Sequence, residues 1–177
     1  MSTVLLNKLS ATIDRSNDVI GRSIAWLTLV MVLTQFTVVV LRYLFNIGWI
    51  AMQESIIYMH AFVFLIGAAY TLHHDAHVRV DIFYHRMSTR GKAWVDLLGS
   101  VFLLLPVCIF IFVMSWDYVA QSWTLLEDSR EAGGLPGVFL LKTSMLLMPV
   151  LLGLQGLAMI LKNLVIISGK QQTGEGS

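Results

Sequence analysis

Four stretches of this chain contain no Asp, Glu, Lys or Arg, and this feature limits the possible folds more than any other. The stretches are 23–41, 55–72, 97–116 and 143–161. Each comes close to the ~20 residues that a helix needs to cross the ~30 Å hydrocarbon layer of a bilayer. Lipid offers no hydrogen bonds to the backbone, so only helices and closed barrels span it, and the two-residue alternation of barrel strands is missing here. The pattern predicts four transmembrane α-helices.

The low charge content points to the same class of protein. Charged residues make up 13% of the 177 residues, whereas soluble domains contain roughly 25%. The net charge of +1 gives no reason to expect a nucleic-acid partner. The single cysteine, Cys108, lies in the third apolar stretch. An intramolecular disulfide is therefore excluded, and we expect the thiol to pack as a small apolar group.

Turn and charge signals between the apolar stretches place the helix ends. Residues 3–20 are predicted to form an amphipathic helix in the membrane interface, with a frayed polar leader as the alternative. The predicted transmembrane helices are 21–44, 49–73, 93–126 and 138–167. Residues 1–168 would thus form a single all-α integral membrane domain. The polar, Gly-rich tail at 169–177 is predicted to be disordered.

Three further features refine this prediction. The first 21 residues lack the apolar core and cleavage site of a signal peptide, so we expect them to be retained. The third helix, at ~34 residues and ~50 Å, exceeds the bilayer and should tilt or project from it. Pro106 lies in its middle and should bend it.

The distribution of Lys and Arg predicts the orientation of the bundle. Positive residues are concentrated in the N-terminal segment, in the 74–92 connector and near the C-terminus. The loop between the third and fourth helices carries more acidic than basic residues. Both termini and the connector are therefore predicted to be cytoplasmic (N-in and C-in), and the acidic loop to face outward.

Three polar residues beside the turn between the first and second helices require partners, because polar groups within spans are costly. Arg42 ends the first helix, and Gln53 and Glu54 open the second. We predict an ion pair between Arg42 and Glu54 near the outer interface. It would pin the two helices together, contact a partner subunit, or bind a substrate.

The histidines do not form a convincing metal or haem site. His73 and His77 are four residues apart on one helical face, but a zinc site usually needs a third or fourth protein ligand. His60 is the only histidine deep within a span. A transmembrane haem usually takes two axial ligands from the bundle, so we interpret His60 as a packing residue. No metal or cofactor is predicted.

Enzyme motifs are also missing from the sequence. It contains no Walker A loop, no Gly-x-Ser-x-Gly and no His-Glu-x-x-His. It also lacks the inverted repeats with broken helices that are typical of autonomous transporters. The residues by themselves therefore predict a four-helix membrane protein of a binding or scaffolding type, and no enzyme.

A series of short motifs adds a family resemblance. In chain order they are Arg-Tyr at 42–43, Asn-x-Gly at 46–48, Trp49, Gln-Glu at 53–54, Gly-Ala-Ala-Tyr at 67–70, His-Val-Arg-Val-Asp at 77–81 and Ser-x-Arg at 88–90. In order and spacing the chain resembles the small membrane subunit (DctQ-like, or Q subunit) of TRAP transporters, the tripartite ATP-independent periplasmic transporters. The resemblance covers nearly all of the chain beyond about residue 20.

The resemblance implies a function in the bacterial inner membrane. TRAP systems import organic acids with a sodium gradient, and a periplasmic substrate-binding P subunit delivers the substrate. The large M subunit would hold the substrate and sodium sites and move as an elevator. The Q subunit would brace its fixed scaffold without a cofactor of its own. Phospholipid bound between the subunits is a further expectation, given the basic connector.

The same resemblance suggests roles for individual residues. Docking of the binding protein would use four charged residues of the loop between the third and fourth helices, although a merely solvated loop is the alternative. These residues are Glu127, Asp128, Arg130 and Glu131. Arg79 and Asp81 would anchor the connector.

Competing hypotheses are a haem-bearing membrane anchor of a redox enzyme and a self-sufficient small transporter. Candidate substrates include 2-oxo acids, C4-dicarboxylates and sialic acid.

Overall fold

The computed structural model describes residues 3–76 and 84–169, and all regular structure in these two parts is helical. The helices are α1 (Thr3–Phe45), α2 (Ile50–His73), α3 (Thr89–Gly99), α4 (Leu105–Thr124) and α5 (Val138–Ile167), with a π-helical turn (Ser100–Leu104) joining α3 to α4. Within the described residues, four helical runs are long and apolar enough to cross a membrane: Leu5–Phe45, Ile50–His73, Thr89–Thr124 and Val138–Ile167. The prediction of an all-α protein with four spanning helices is confirmed.

The N-terminal segment differs from the prediction. Instead of a separate interfacial helix followed by a spanning helix, α1 runs without a break for 43 residues, or ~65 Å. At the expected junction, Gly21 packs directly on α2, where an added Cβ would lie 2.3 Å from Tyr70 Cγ. Gly21 therefore serves close helix packing, and a single glycine is tolerated within a helix at a cost of ~1 kcal/mol.

The third spanning run is interrupted just before Pro106 by the π-helical turn at Ser100–Leu104. The Leu105 N–H bonds to the Ser100 carbonyl, five residues earlier, at the end of the π-helical turn. Pro106 then stands in the first turn of α4, where its missing N–H costs least. The wider turn takes up the break in hydrogen bonding that proline would otherwise impose on a continuous α-helix.

Helix α5 lies at the centre of the bundle and contacts each of the other helices. Its buried residues include Ser144, Gly156 and Ala158, and small residues of this kind let helix backbones approach closely. At Gly156 an added Cβ would lie 2.7 Å from Leu104 Cδ2. The large apolar side chains of α1 and α4 face away from this centre and are exposed on the isolated bundle.

The bundle has two polar ends. We call the end with residues 125–137 and the turn between α1 and α2 the loop end. We call the end with residues 3–22 and the C-terminus of α5 the terminal end. Asn46, with φ of 55°, starts the turn between α1 and α2 at the loop end, in a backbone conformation that asparagine tolerates better than most residues.

Candidate functional site

The loop at residues 125–137 is tied to the start of α2 by one carboxylate. Glu54 accepts a hydrogen bond from the Ser129 hydroxyl and another, of 2.7 Å, from the Leu135 N–H. The Ser129 N–H also bonds to the Leu135 carbonyl at 3.3 Å. Glu54 therefore holds both arms of the loop over the first turns of α2.

Two glycines make this contact possible. At Gly134 an added Cβ would lie 2.4 Å from Ser129 Oγ and 2.7 Å from Glu54 Oε2, so a side chain here would displace the loop from Glu54. Gly133 has φ of 81°, a backbone conformation that residues with a side chain rarely adopt. The Gly-Gly pair is therefore required by the way the loop closes.

The second anchor of the loop is Glu127. Its side chain is half-buried, accepts a 2.7 Å hydrogen bond from the Ser122 hydroxyl and forms an ion pair with Lys142. The Lys142 Nζ also lies 3.9 Å from the centroid of the Tyr118 ring. The hydrogen bond from Lys142, followed by that from Ser122, lowers the pKa of Glu127 below its ordinary value. Glu127 thus joins the loop to α5.

The four residues expected to form one docking surface therefore divide into two groups. Asp128, Arg130 and Glu131 are exposed and remain candidates for binding a partner. The Glu127 side chain is directed to Lys142 and Ser122 within the bundle. Glu127 therefore holds the loop in shape. The sequence interpretation did not distinguish it from the three exposed residues.

The expected ion pair between Arg42 and Glu54 is wrong. Glu54 is bonded to the loop, because Ser129 and the Leu135 N–H lie directly over the first turns of α2. Among the described residues Arg42 has no carboxylate within ion-pair distance, and its side chain is exposed.

Arg42 instead lines a cavity of about 720 Å³ between α1 and α2, near the loop end. Gln35 and Gln53 share its wall with apolar side chains such as Val39 and Ile57. We call this cavity the polar groove. The structure therefore places Arg42 and Gln53 on the wall of one groove, together with Gln35 and without Glu54.

A network of polar side chains at the terminal end was missed by sequence reasoning. Gln155 of α5 is 1% exposed; its Oε1 accepts a 2.7 Å hydrogen bond from Asn17, and its Nε2 donates to Asp14 at 2.9 Å. Asp14 also pairs with Lys162 at 2.5 Å and with His73 Nδ1 at 3.1 Å. We call these five residues the terminal network. It joins α1, α2 and α5.

A second group of charges extends the terminal network along α1. Asp18 pairs with His74 Nε2 at 3.0 Å and with Arg22 Nε at 2.9 Å. A signal for the terminal network did exist in the sequence. Asp14 and Asn17 are three residues apart and Gln155 and Lys162 seven apart, so each pair shares a helical face. What a single sequence does not show is that the two faces meet.

The histidines engage these carboxylates. Among the described residues, no group of three or more His, Cys, Asp or Glu side chains is arranged to hold a metal ion; His77 lies outside them. His60 was expected to be a packing residue, but it is exposed on α2, with its ring stacked 6.4 Å from that of Phe64. Arg79 and Asp81 also lie outside the described residues.

Comparison with known proteins supplies a family. Residues 30–165 match the family model described as "Tripartite ATP-independent periplasmic transporters, DctQ component". The chain is similar to the C4-dicarboxylate TRAP transporter small permease protein DctQ of Vibrio cholerae serotype O1 (strain ATCC 39315 / El Tor Inaba N16961), with 30% identity over 103 residues. The alignment covers 55% of this chain and 44% of that protein, which is less than half of the relative's length. No solved structure matches the chain.

Proposed function

The chain belongs to the DctQ component family of tripartite ATP-independent periplasmic transporters, and we propose that it braces a large transport subunit and helps to receive a substrate-binding protein. The family and the four apolar helices make it a multi-pass protein of the bacterial inner membrane and a component of a transporter. The observation that carries the bracing proposal is the unbroken helix α1, fixed at its end by the terminal network.

A brace must resist displacement across the membrane, and the charges of this chain support such a role. Asp14, Asp18 and Lys162 lie at the terminal end, whereas Asp128 and Glu131 are exposed at the loop end. Drawing either end into hydrocarbon costs roughly 2.5–3.5 kcal/mol per charged residue on insertion scales. The bundle is therefore held at one depth while a moving partner passes beside it.

The loop at 125–137 is a suitable receptor for a soluble partner. Its exposed charges, Asp128, Arg130 and Glu131, stand on a backbone that Glu54 and Glu127 hold from below. A surface ordered before binding loses less conformational entropy when the partner docks. Charged residues at the rim of such a surface also accelerate encounter with a complementary partner.

The transport chemistry is proposed to reside in the large subunit. We expect it to hold both the substrate site and the sodium sites, and to import an organic acid driven by the sodium gradient. The name of the Vibrio cholerae relative suggests a C4-dicarboxylate as the first substrate to test. Phospholipid bound between the two subunits remains part of the proposal.

Affinity purification of the tagged chain from native membranes tests the bracing proposal. We expect a much larger multi-spanning protein to be recovered in stoichiometric amount, and we expect uptake in liposomes to require both chains and the binding protein. A chain that purifies alone, or that transports an organic acid alone, would contradict the proposal.

Docking is tested by a triple replacement of Asp128, Arg130 and Glu131 with Ala. We expect weaker uptake, with unchanged amounts of the assembled membrane complex. The matched control replaces Lys8 and Arg15, exposed charges near the terminal end, with Ala and should leave uptake unaffected. Normal uptake by the triple variant would exclude this loop as the docking surface.

A further inference from the structure

The exposed surface of α1 and α2 carries polar side chains at a depth where lipid cannot bond to them. Gln35 lies ten residues before the end of α1, and His60 lies ten residues after the start of α2. Each is therefore ~15 Å from the loop end of its helix, near the middle of a ~30 Å hydrocarbon layer. Both side chains are exposed on the bundle.

The polar groove continues this surface toward the loop end. Arg42 and Gln53 line it, two helical turns beyond Gln35 and His60 respectively. Among the described residues, the side chains of Arg42, Gln35 and Gln53 have no hydrogen-bond partner. Glu54, a nearby carboxylate, is already bonded to Ser129 and Leu135. The groove is therefore cationic and rich in amide groups.

The opposite side of the bundle shows what a lipid-facing surface of this chain looks like. Between residues 101 and 116, all exposed side chains of the third spanning run are apolar, including Phe102, Val107, Phe110 and Met114. Three threonines on α1 differ from Gln35, because their hydroxyls bond to carbonyls of their own helix: Thr28, Thr34 and Thr37. Uncompensated polar groups within a span are costly and usually face protein.

We infer that the polar groove and the adjoining face of α1 and α2 bind a membrane helix of the large subunit, which supplies a carboxylate to Arg42 and hydrogen-bonding groups to Gln35 and His60. This inference rests on the proposed function and names the surface that performs it. The planar guanidinium of arginine matches a carboxylate with two parallel hydrogen bonds. The α4 face, in contrast, remains in contact with lipid.

A phospholipid is the rival occupant. Its phosphate would suit Arg42 at the level of the headgroups, and its acyl chains would suit Val39 and Ile57. The same acyl chains would leave Gln35 and His60 without partners near the centre of the bilayer. A helix with polar side chains satisfies all of these groups, so the protein partner is favoured.

Site-specific photo-crosslinking locates the contact. The photoreactive amino acid p-benzoylphenylalanine is placed at Val39, on the wall of the polar groove, or at Phe110, on the α4 face. Both positions are exposed. We expect irradiation of the native complex to join the large subunit to the Val39 variant and not to the Phe110 variant. The reverse pattern would overturn the inference.

Charge replacement tests the carboxylate. Arg42→Glu should reduce recovery of the large subunit with the tagged chain by at least ~10-fold, whereas Arg42→Lys should retain most of it. Arg15→Glu, at an exposed arginine near the other end of the same helix, is the matched control and should have little effect. Membrane levels of each variant, measured by immunoblot, separate lost assembly from lost folding. The crosslink from Val39 identifies the contacting helix of the large subunit. Replacing the Asp or Glu of that helix nearest to the crosslink by Arg should restore assembly with Arg42→Glu.

The remaining outcomes separate this inference from the function on which it rests. If the wild-type chain recovers no large subunit, the proposed function fails together with the inference. If the Arg42→Glu chain recovers the large subunit normally, the bracing function stands and the inference is wrong. It is equally wrong if that complex remains intact but has lost a phospholipid, as measured by mass spectrometry, because the groove is then a lipid site.

Discussion

At the scale of single residues, the loop end shows how neighbouring charges acquire different roles. Glu54 and Arg42 lie on either side of a short turn, and proximity in sequence suggested that they pair. The structure gives Glu54 two donors from residues 129 and 135, contacts that no local pattern reveals. Arg42 is left exposed on the wall of the polar groove. Sequence could therefore identify these residues as important without identifying their partners.

Replacing Glu54 by Ala should loosen the loop at 125–137. The Ser129 hydroxyl and the Leu135 N–H would lose their shared acceptor, and local opening of the loop would become easier. We expect limited proteolysis within the loop to accelerate roughly 3- to 10-fold in detergent-purified protein. Glu131→Ala removes an exposed carboxylate of the same loop and should leave the cleavage rate near that of the wild type. Equal rates for the two variants would argue against Glu54 as the anchor.

The lowered pKa of Glu127 makes the order of this loop dependent on pH. A carboxylate with a lowered pKa in the folded state contributes stability above its ordinary pKa, and this contribution is lost as the pH falls through the lowered value. We expect the loop to be protected from hydrogen exchange at pH 7 and to lose part of that protection below pH ~4. Glu127→Gln should show weaker protection at pH 7 and a smaller change on acidification. A wild-type loop with constant protection from pH 7 to 3 would contradict this prediction.

At the scale of elements, the terminal network explains why α1 extends past the predicted junction. Asn17 and Gln155 are buried polar residues, and buried polar groups are stable only when they are hydrogen-bonded. Docking of the N-terminal part of α1 against α5 satisfies both. The amphipathic pattern of residues 3–20 correctly indicated a helix. Polar residues such as Asn17 pack against α5, whereas Leu5 and Leu9 of the apolar stripe are exposed, and their contact with the membrane interface stays a prediction.

Gln155→Leu should destabilise the docking of α1. The substitution preserves much of the volume but leaves the Asn17 amide and one Asp14 contact unsatisfied, at a cost of roughly 1–3 kcal/mol. Thermal unfolding of the purified protein in detergent should begin several degrees lower. Gln121→Leu, at an exposed glutamine of α4, is the matched control. Unfolding temperatures that agree for the two variants would show that the terminal network adds little to stability.

At the scale of the whole molecule, composition predicts what the membrane imposes and little beyond it. The charge-free stretches located four spanning helices because hydrocarbon excludes charge everywhere along a span. The faces that meet protein are less visible, since a neighbouring helix is as apolar as lipid. The exceptions are positions such as Gln35 and Gln155, where a polar side chain requires a partner. Gln155 is bonded to residues within the chain, whereas Gln35 is exposed on the surface of the chain.

The predicted orientation can be measured directly in cells. In a Cys108→Ser background, Glu131→Cys at the loop end should react with a membrane-impermeant maleimide in intact spheroplasts. Arg15→Cys at the terminal end should react only after the membrane is permeabilised. This outcome follows from the excess of Lys and Arg at the terminal end. Labelling in the opposite order would invert the topology and would remove the loop at 125–137 from the periplasmic surface.

Because α1 is unbroken, it also fixes the rotation about the helix axis between residues at its two ends. At one end, Asp14 pairs with Lys162 and accepts a hydrogen bond from Gln155. At the other end, Arg42 lines the polar groove. A helix turns by ~100° and rises ~1.5 Å with each residue, and α1 contains no loop in which a phase error could be absorbed. One inserted residue between these positions would therefore rotate Arg42 out of the groove or pull Asp14 from its partners. The number of residues between Asp14 and Arg42 therefore determines the direction in which the arginine side chain points.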